Sequence, residues 1–251
     1  MIIKRTIFLL QFISFILCQV NTENLRLEET SKVFINQFNI SFDYEGSDSE
    51  VFDTFFEYRL DYNPKKQNKF FFIANYEQAY EKSSNESTNF INKKGFAHLR
   101  NTRKFYKNSD IEFFTQYEFN EFLDITKRTL LGSGIRLPIK IKKMNSYIGI
   151  GIMKEIENYN NQIFDTEIYR STNYFNNKIN FNKVVLSNVI YYQFNVNESK
   201  DYRILFDNNF EFVLTKNIFL TFELKHRYDN QPNSGQKKNY SQISSGIGFI
   251  F

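Results

Sequence analysis

The chain has 251 residues, with 32 Lys and Arg against 28 Asp and Glu, 30 Phe, 16 Tyr, no Trp and a mean hydropathy of -0.48. Nine Gly and three Pro exclude a low-complexity or Pro-rich chain, and the small net charge gives no basic footprint for nucleic acid. Aromatics spread thinly among polar residues suit strands that are apolar on one side better than a packed soluble core, and one barrel of this length is ordinary.

Lys4 and Arg5 precede the apolar run Thr6 to Cys18, which is too short to span a bilayer and has the form of a secretory signal. Cleavage is expected after Cys18. Lipidation of Cys18 is the alternative, although Leu17 is large where that signal wants a small residue. Removal of residues 1–18 leaves 30 basic against 28 acidic residues and no cysteine, as suits an oxidising periplasm. Asn21 to Lys32 has no period and reads as the body of a periplasmic lead-in, residues 19–32. The N-x-[ST] matches at Asn39, Asn85 and Asn197 read as chance.

From Val33 onward the dominant signal is period two, in blocks separated by polar turns. Block one, Val33 to Tyr44, sets Phe34, Phe38, Ile40, Phe42 and Tyr44 against Gln37, Asn39, Ser41 and Asp43. Block two sets Phe52, Phe56, Tyr58, Leu60 and Tyr62 against Asp53, Glu57, Arg59 and Asp61, charges that cannot face lipid. Block three continues with Phe70, Phe72, Ala74, Tyr76 and Tyr80 outward. A loop is expected over Ser83 to Lys94, then a weaker block four with His98, Arg100 and Lys104 inward. Block five, Asp110 to Asn120, opposes Ile111, Phe113 and Tyr117 to Glu112, Gln116 and Glu118. Block six turns Arg128, Gly132, Gly134 and Arg136 inward, and block seven turns Gly149 and Gly151 inward beneath Ile148, Ile150 and Ile152. Inward glycines bend the wall or leave room for a large side chain from across the lumen, and shaping the wall is the preferred reading.

Four further blocks are expected over Phe164 to Tyr174, Lys178 to Tyr192, Tyr202 to Leu214 and Ile218 to Tyr228, with Asn176-Asn177 as a turn. The last stretch, Tyr240 to Phe251, alternates Ile243, Ile247, Phe249 and Phe251 against Gln242, Ser244, Gly246 and Gly248. It has the pattern of a strand that closes a barrel by pairing with the first. Both termini of a bacterial barrel lie in the periplasm, so the strand number is even and the count is twelve. The fold expected for residues 33–251 is thus a single antiparallel transmembrane β-barrel, about 12 strands, with the short turns periplasmic. None of the expected outer loops is long enough for a folded plug.

Phe119 to Leu137 (FNEFLDITKRTLLGSGIRL) resembles the signature of a bacterial family of salt-induced outer-membrane proteins, a domain of unknown function. There an Arg precedes a Leu-Leu-Gly-x-Gly strand, as Arg128, Leu130, Leu131, Gly132 and Gly134 do here. The resemblance runs from about Asn36 to Phe251 and departs from the pattern at Arg136 and Pro138. It implies an outer-membrane barrel without a known activity. The terminal Phe249 and Phe251 resemble the aromatic signal read by the barrel-assembly machinery.

The inward set offers the candidate pore lining: Glu57, Arg59, Arg100, Glu112, Glu118, Arg128, Arg136, Glu211 and Glu223, with Arg128 and Arg136 expected to pair with Glu112 and Glu118. Such charges either close the lumen or leave a narrow polar path. No catalytic centre, metal site or cofactor is expected. His98 lacks a Ser two residues on, and His226 sits with outward parity near the outer rim. The expected protein is a monomeric barrel of the Gram-negative cell outer membrane, structural or a porin-like narrow passive channel. Its expected partners are outer-membrane lipid and lipopolysaccharide. Two alternatives stay open: a lipid-modifying or hydrolytic enzyme, should His98 or His226 meet a Ser and a carboxylate, and a soluble lipocalin-like ligand-binding barrel.

Overall fold

In a computed structural model of the chain, the described residues are 33–46, 49–65, 67–83, 89–106, 108–121, 124–141, 144–160, 165–215, 218–232 and 237–249. The expected signal and lead-in, residues 1–32, and Phe251 lie outside them. The period-two blocks form twelve strands: β1 (Phe34–Gly46), β2 (Ser49–Lys65), β3 (Asn68–Ser83), β4 (Asn89–Tyr106), β5 (Ser109–Asn120), β6 (Ile125–Ile141), β7 (Met144–Tyr159), β8 (Thr166–Phe181), β9 (Val184–Asn195), β10 (Tyr202–Val213), β11 (Ile218–Asp229) and β12 (Asn239–Phe249). Eleven antiparallel ladders join them strictly in chain order. The expected pairing of the closing strand with the first is not among the ladders of the described residues.

Alternation dictates which side is core. In β5, Asp110, Glu112, Gln116, Glu118 and Asn120 are buried while Phe113, Thr115 and Tyr117 are exposed. The neighbouring strands repeat the pattern, with Arg128 and Glu155 buried and Leu131, Ile135, Ile150 and Ile152 exposed. A charged interior under an apolar surface reverses the soluble arrangement and matches a barrel wall. Arg128 and Glu155 reach 0% exposure, so the sheet curls around its charged face. Aromatic rings gather toward the ends of the outward face, Phe34–Tyr62–Phe70 stacked on β1–β3 beside the shorter connections and Phe194–Tyr192–Tyr202–Tyr228 tilted against one another on β9–β11 beside the longer loops.

The outward face also carries a short polar row, Ser146, Asn177, Asn188 and Asn208, on neighbouring strands. Ser146 Oγ donates to Asn177 Oδ1 at 3.3 Å and Asn208 Nδ2 to Asn188 Oδ1 at 2.6 Å, so the row satisfies much of itself.

Three expectations are corrected. Asn176-Asn177 is not a turn, because both residues sit in β8 opposite Val189 and Asn188, and the turn is at Asn182, whose φ is 47°. Asn tolerates that left-handed conformation better than most residues. The loop expected to end at Lys94 is shorter, since β4 begins at Asn89. The inward glycines do more than shape the wall. A Cβ on Gly149 would lie 1.9 Å from the Tyr174 ring, and one on Gly132 2.3 Å from the Phe114 ring. Each ring lies over a glycine directly opposite it on the adjacent strand, and comes from there rather than from across the lumen.

Candidate functional site

The inward faces of β5 to β10 converge on one ionic cluster near the longer loops. Arg128 is fully buried, bonds Glu157 opposite it on β7, and lies 3.7 Å from Glu118 on β5. Arg203 places Nη1 at 2.9 Å from Glu155 Oε1 and 3.4 Å from Glu157 Oε1, and Nε at 2.8 Å from Asp229. Arg170 bonds Glu155 through Nε at 3.2 Å and grips Asp201 with both Nη atoms, at 3.0 and 3.1 Å. Tyr159 Oη donates to Glu157 at 2.9 Å. Planar guanidiniums fit such multiply shared carboxylates because their donors form a rigid fork.

A hydrogen-bonded line leads from this cluster toward the other end of the barrel. Gln116 Nε2 donates to Glu118 at 3.2 Å, and Arg100 Nε donates to His98 Nε2 at 3.3 Å. Since Nε2 accepts, a neutral His98 carries its proton on Nδ1 and donates it to Gln116 Oε1 at 3.3 Å. Arg100 also lies 3.5 Å from Glu112, which accepts from Thr102 at 3.2 Å and, from the far strand β8, from Tyr174 Oη at 3.1 Å. Between the two layers is a cavity of about 40 Å³ lined by His98, Gln116, Leu130, Thr172, Tyr174 and Gln193, enough for a very few waters. Gln193 donates to Thr172 at 3.3 Å, and its buried Oε1 has no partner among the described residues.

The expected lining is thus partly assembled. Arg128 meets Glu118 as anticipated, and Arg136 lies 3.8 Å from Asp110. The ladder dictates this, since Asp110 is opposite Arg136 and Glu112 is opposite Gly134. Arg136 also stacks 3.4 Å over Tyr147. Arg59 bonds Asp61 at 2.6 Å, Glu57 is half-buried on β2, and Glu211 is half-buried on β10 and accepts from Asn209 at 3.5 Å. Glu223 and Phe249 belong to β11 and β12, but their side chains lie outside the described residues. Sequence reasoning missed Glu155, Glu157 and Arg170, and read Asp201 and Asp229 as loop. Extending the period two of Gly149 and Gly151 by three steps would have reached Glu157.

His98 meets Gln116 and Arg100, with no serine among those partners. His226 does meet one: its Nδ1 is 2.8 Å from Ser241 Oγ on the outward face.

Residues 56–251 match the family model described as "Protein of unknown function, DUF481". No curated protein matches the chain. Among solved structures, it is similar to the translocator domain of the autotransporter NalP from Neisseria meningitidis, with 9% identity, a TM-score of 0.49 and coverage of 92% of each chain. It is also similar to the siderophore receptor PirA from Pseudomonas aeruginosa, with 12% identity, a TM-score of 0.42 and coverage of 88% of this chain and 47% of that one. The beta domain of a Bordetella autotransporter, Brka, is a third, with 8% identity, a TM-score of 0.34 and coverage of 87% and 98%.

Proposed function

The chain belongs to the DUF481 family, and from that premise we propose that it is a monomeric, non-catalytic outer-membrane β-barrel whose lumen is a narrow passage shut by its own ion pairs. The observation that carries this reading is the Arg128–Glu157–Arg203–Glu155–Arg170 cluster, buried between the longer loops and the small polar cavity. Ion-paired side chains at 0% exposure leave no room for a hydrated solute beside them. The outer-membrane placement is supported by the apolar outward face and its two groups of packed rings. That polarity is the reverse of a soluble lipocalin-like barrel, which would turn its apolar side inward. Control by salt is an expectation from the family resemblance, checked by protein level in cells shifted between low and high osmolarity.

The test is planar-bilayer conductance of the refolded chain, with heat-modifiable gel migration as proof that the barrel has formed. The native barrel should be silent, and Glu118→Ala with Glu157→Ala should produce discrete steps. Native steps that the double substitution leaves unchanged would remove the cluster from the passage.

A further inference from the structure

Two of the longer loops, residues 196–201 and the described parts of the next, 230–232 and 237–238, are tied together beside the packed rings of β9–β11. Asn230 is the tie. Its backbone N donates to Tyr202 O at 3.0 Å and its Nδ2 to Lys200 O at 2.8 Å. Its Oδ1 accepts from Tyr228 Oη at 3.0 Å and lies 3.5 Å from Lys238 Nζ, while Asp229 N donates to Lys238 O at 2.8 Å. Gln231 Nε2 adds a bond to Glu198 Oε1 across the same seam at 3.2 Å.

The charges of this rim are sorted by direction. Asp201 and Asp229, at the loop bases, turn down to Arg170 and Arg203 and are neutralised there. Lys200, Lys237 and Lys238 stay exposed, and among the described residues none has a carboxylate within ion-pair distance. Glu198 is the remaining exposed acid of the two loops. Just beneath lie Phe194, Tyr192, Tyr202 and Tyr228, with successive centroids 5.7, 5.9 and 5.8 Å apart, an amphipathic surface of the kind that sits at headgroup depth. Lysines on the loops that border such rings match a phosphorylated headgroup whose acyl chains run down the apolar wall.

We infer that Lys200, Lys237 and Lys238, on the two loops that Asn230 ties together beside the β9–β11 rings, form a binding site for the phosphate groups of an outer-leaflet lipid. This rests on the outer-membrane reading above, and the experiment separates the two. The refolded full chain is titrated in micelles with diphosphoryl lipid A and with the same lipid dephosphorylated, and bound lipid is counted by native mass spectrometry. The native protein should prefer the phosphorylated lipid. Each lysine-to-glutamine change at Lys200, Lys237 or Lys238 should reduce that preference about fivefold, the contribution of one basic side chain near an anionic surface. Lys183→Gln, on the turn at the opposite end, should leave it unchanged. Asn230→Ala keeps every charge but unties the loops, and should also weaken binding. Equal uptake of the two lipids by a heat-modifiable barrel overturns the rim site, as does full competition by free inorganic phosphate. A chain that fails to insert into lipid vesicles overturns the outer-membrane reading itself.

Discussion

Arg203 on β10 reaches Glu155 on β7 at 2.9 Å, passing over the two strands between them. Both groups are buried, so removing Arg203 leaves the buried Glu155 and Glu157 sharing fewer counter-charges than they need. Arg203→Ala should destabilise the barrel by about 3–5 kcal/mol, read as a shifted urea midpoint of heat-modifiable migration. Replacing both ends with apolar residues, Arg203→Met and Glu155→Leu, should recover much of that loss. A single substitution costing no more than a surface pair would show that the cluster is solvated.

If the outward face meets lipid, its tolerance should follow polarity. Ile150 is exposed in mid-strand on β7, and Ile150→Arg should cost about 2–4 kcal/mol. Asn188→Leu with Asn208→Leu removes two amides that bond each other on that same face, and should be neutral or stabilising in micelles. A strong loss from the double leucine, with little effect of Ile150→Arg, would mean that this side is covered by protein or water.

Gly149 is expected to be intolerant for a local reason. An added methyl would push the Tyr174 ring away and strain its 3.1 Å bond to Glu112. Gly149→Ala should cost about 1–3 kcal/mol by overpacking. Combining it with Tyr174→Ala should relieve that part of the cost, so less than additive loss in a double-mutant cycle is the diagnostic result.

The His226–Ser241 contact tests the non-catalytic reading. A hydrolytic serine needs its base held by a third group, and among the described residues no carboxylate is within bonding distance of His226. Refolded protein in phospholipid vesicles should release no fatty acid above the level of Ser241→Ala. Release that the substitution abolishes would make the barrel an enzyme.

Much of the fold was legible because a half-buried strand writes its two faces into alternate residues, and in β5 and β10 the expected bounds fall within a residue or two of those found. The opposition of Arg128 to Glu118 was readable for the same reason. The approach of Arg136 to Asp110 was not, because it depends on register, which alternation leaves free by steps of two. The other half of the cluster was hidden by composition. Asn-rich segments read as turns, so Asn176-Asn177 drew the turn that belongs to Asn182, and Arg170 was left in a weakly marked strand. Asp201 lies just before β10 and Asp229 ends β11, positions where polar loop residues and strand residues meet, and both side chains turn inward.

Every ladder joins neighbours in the chain, whereas the bonds from Glu112 to Tyr174 and from Glu155 to Arg203 skip strands. They act as tie rods. A ribbon of β5 to β10 carrying both is already bent into an arc, so curvature belongs to the middle of the chain and does not wait for its two edges to find each other.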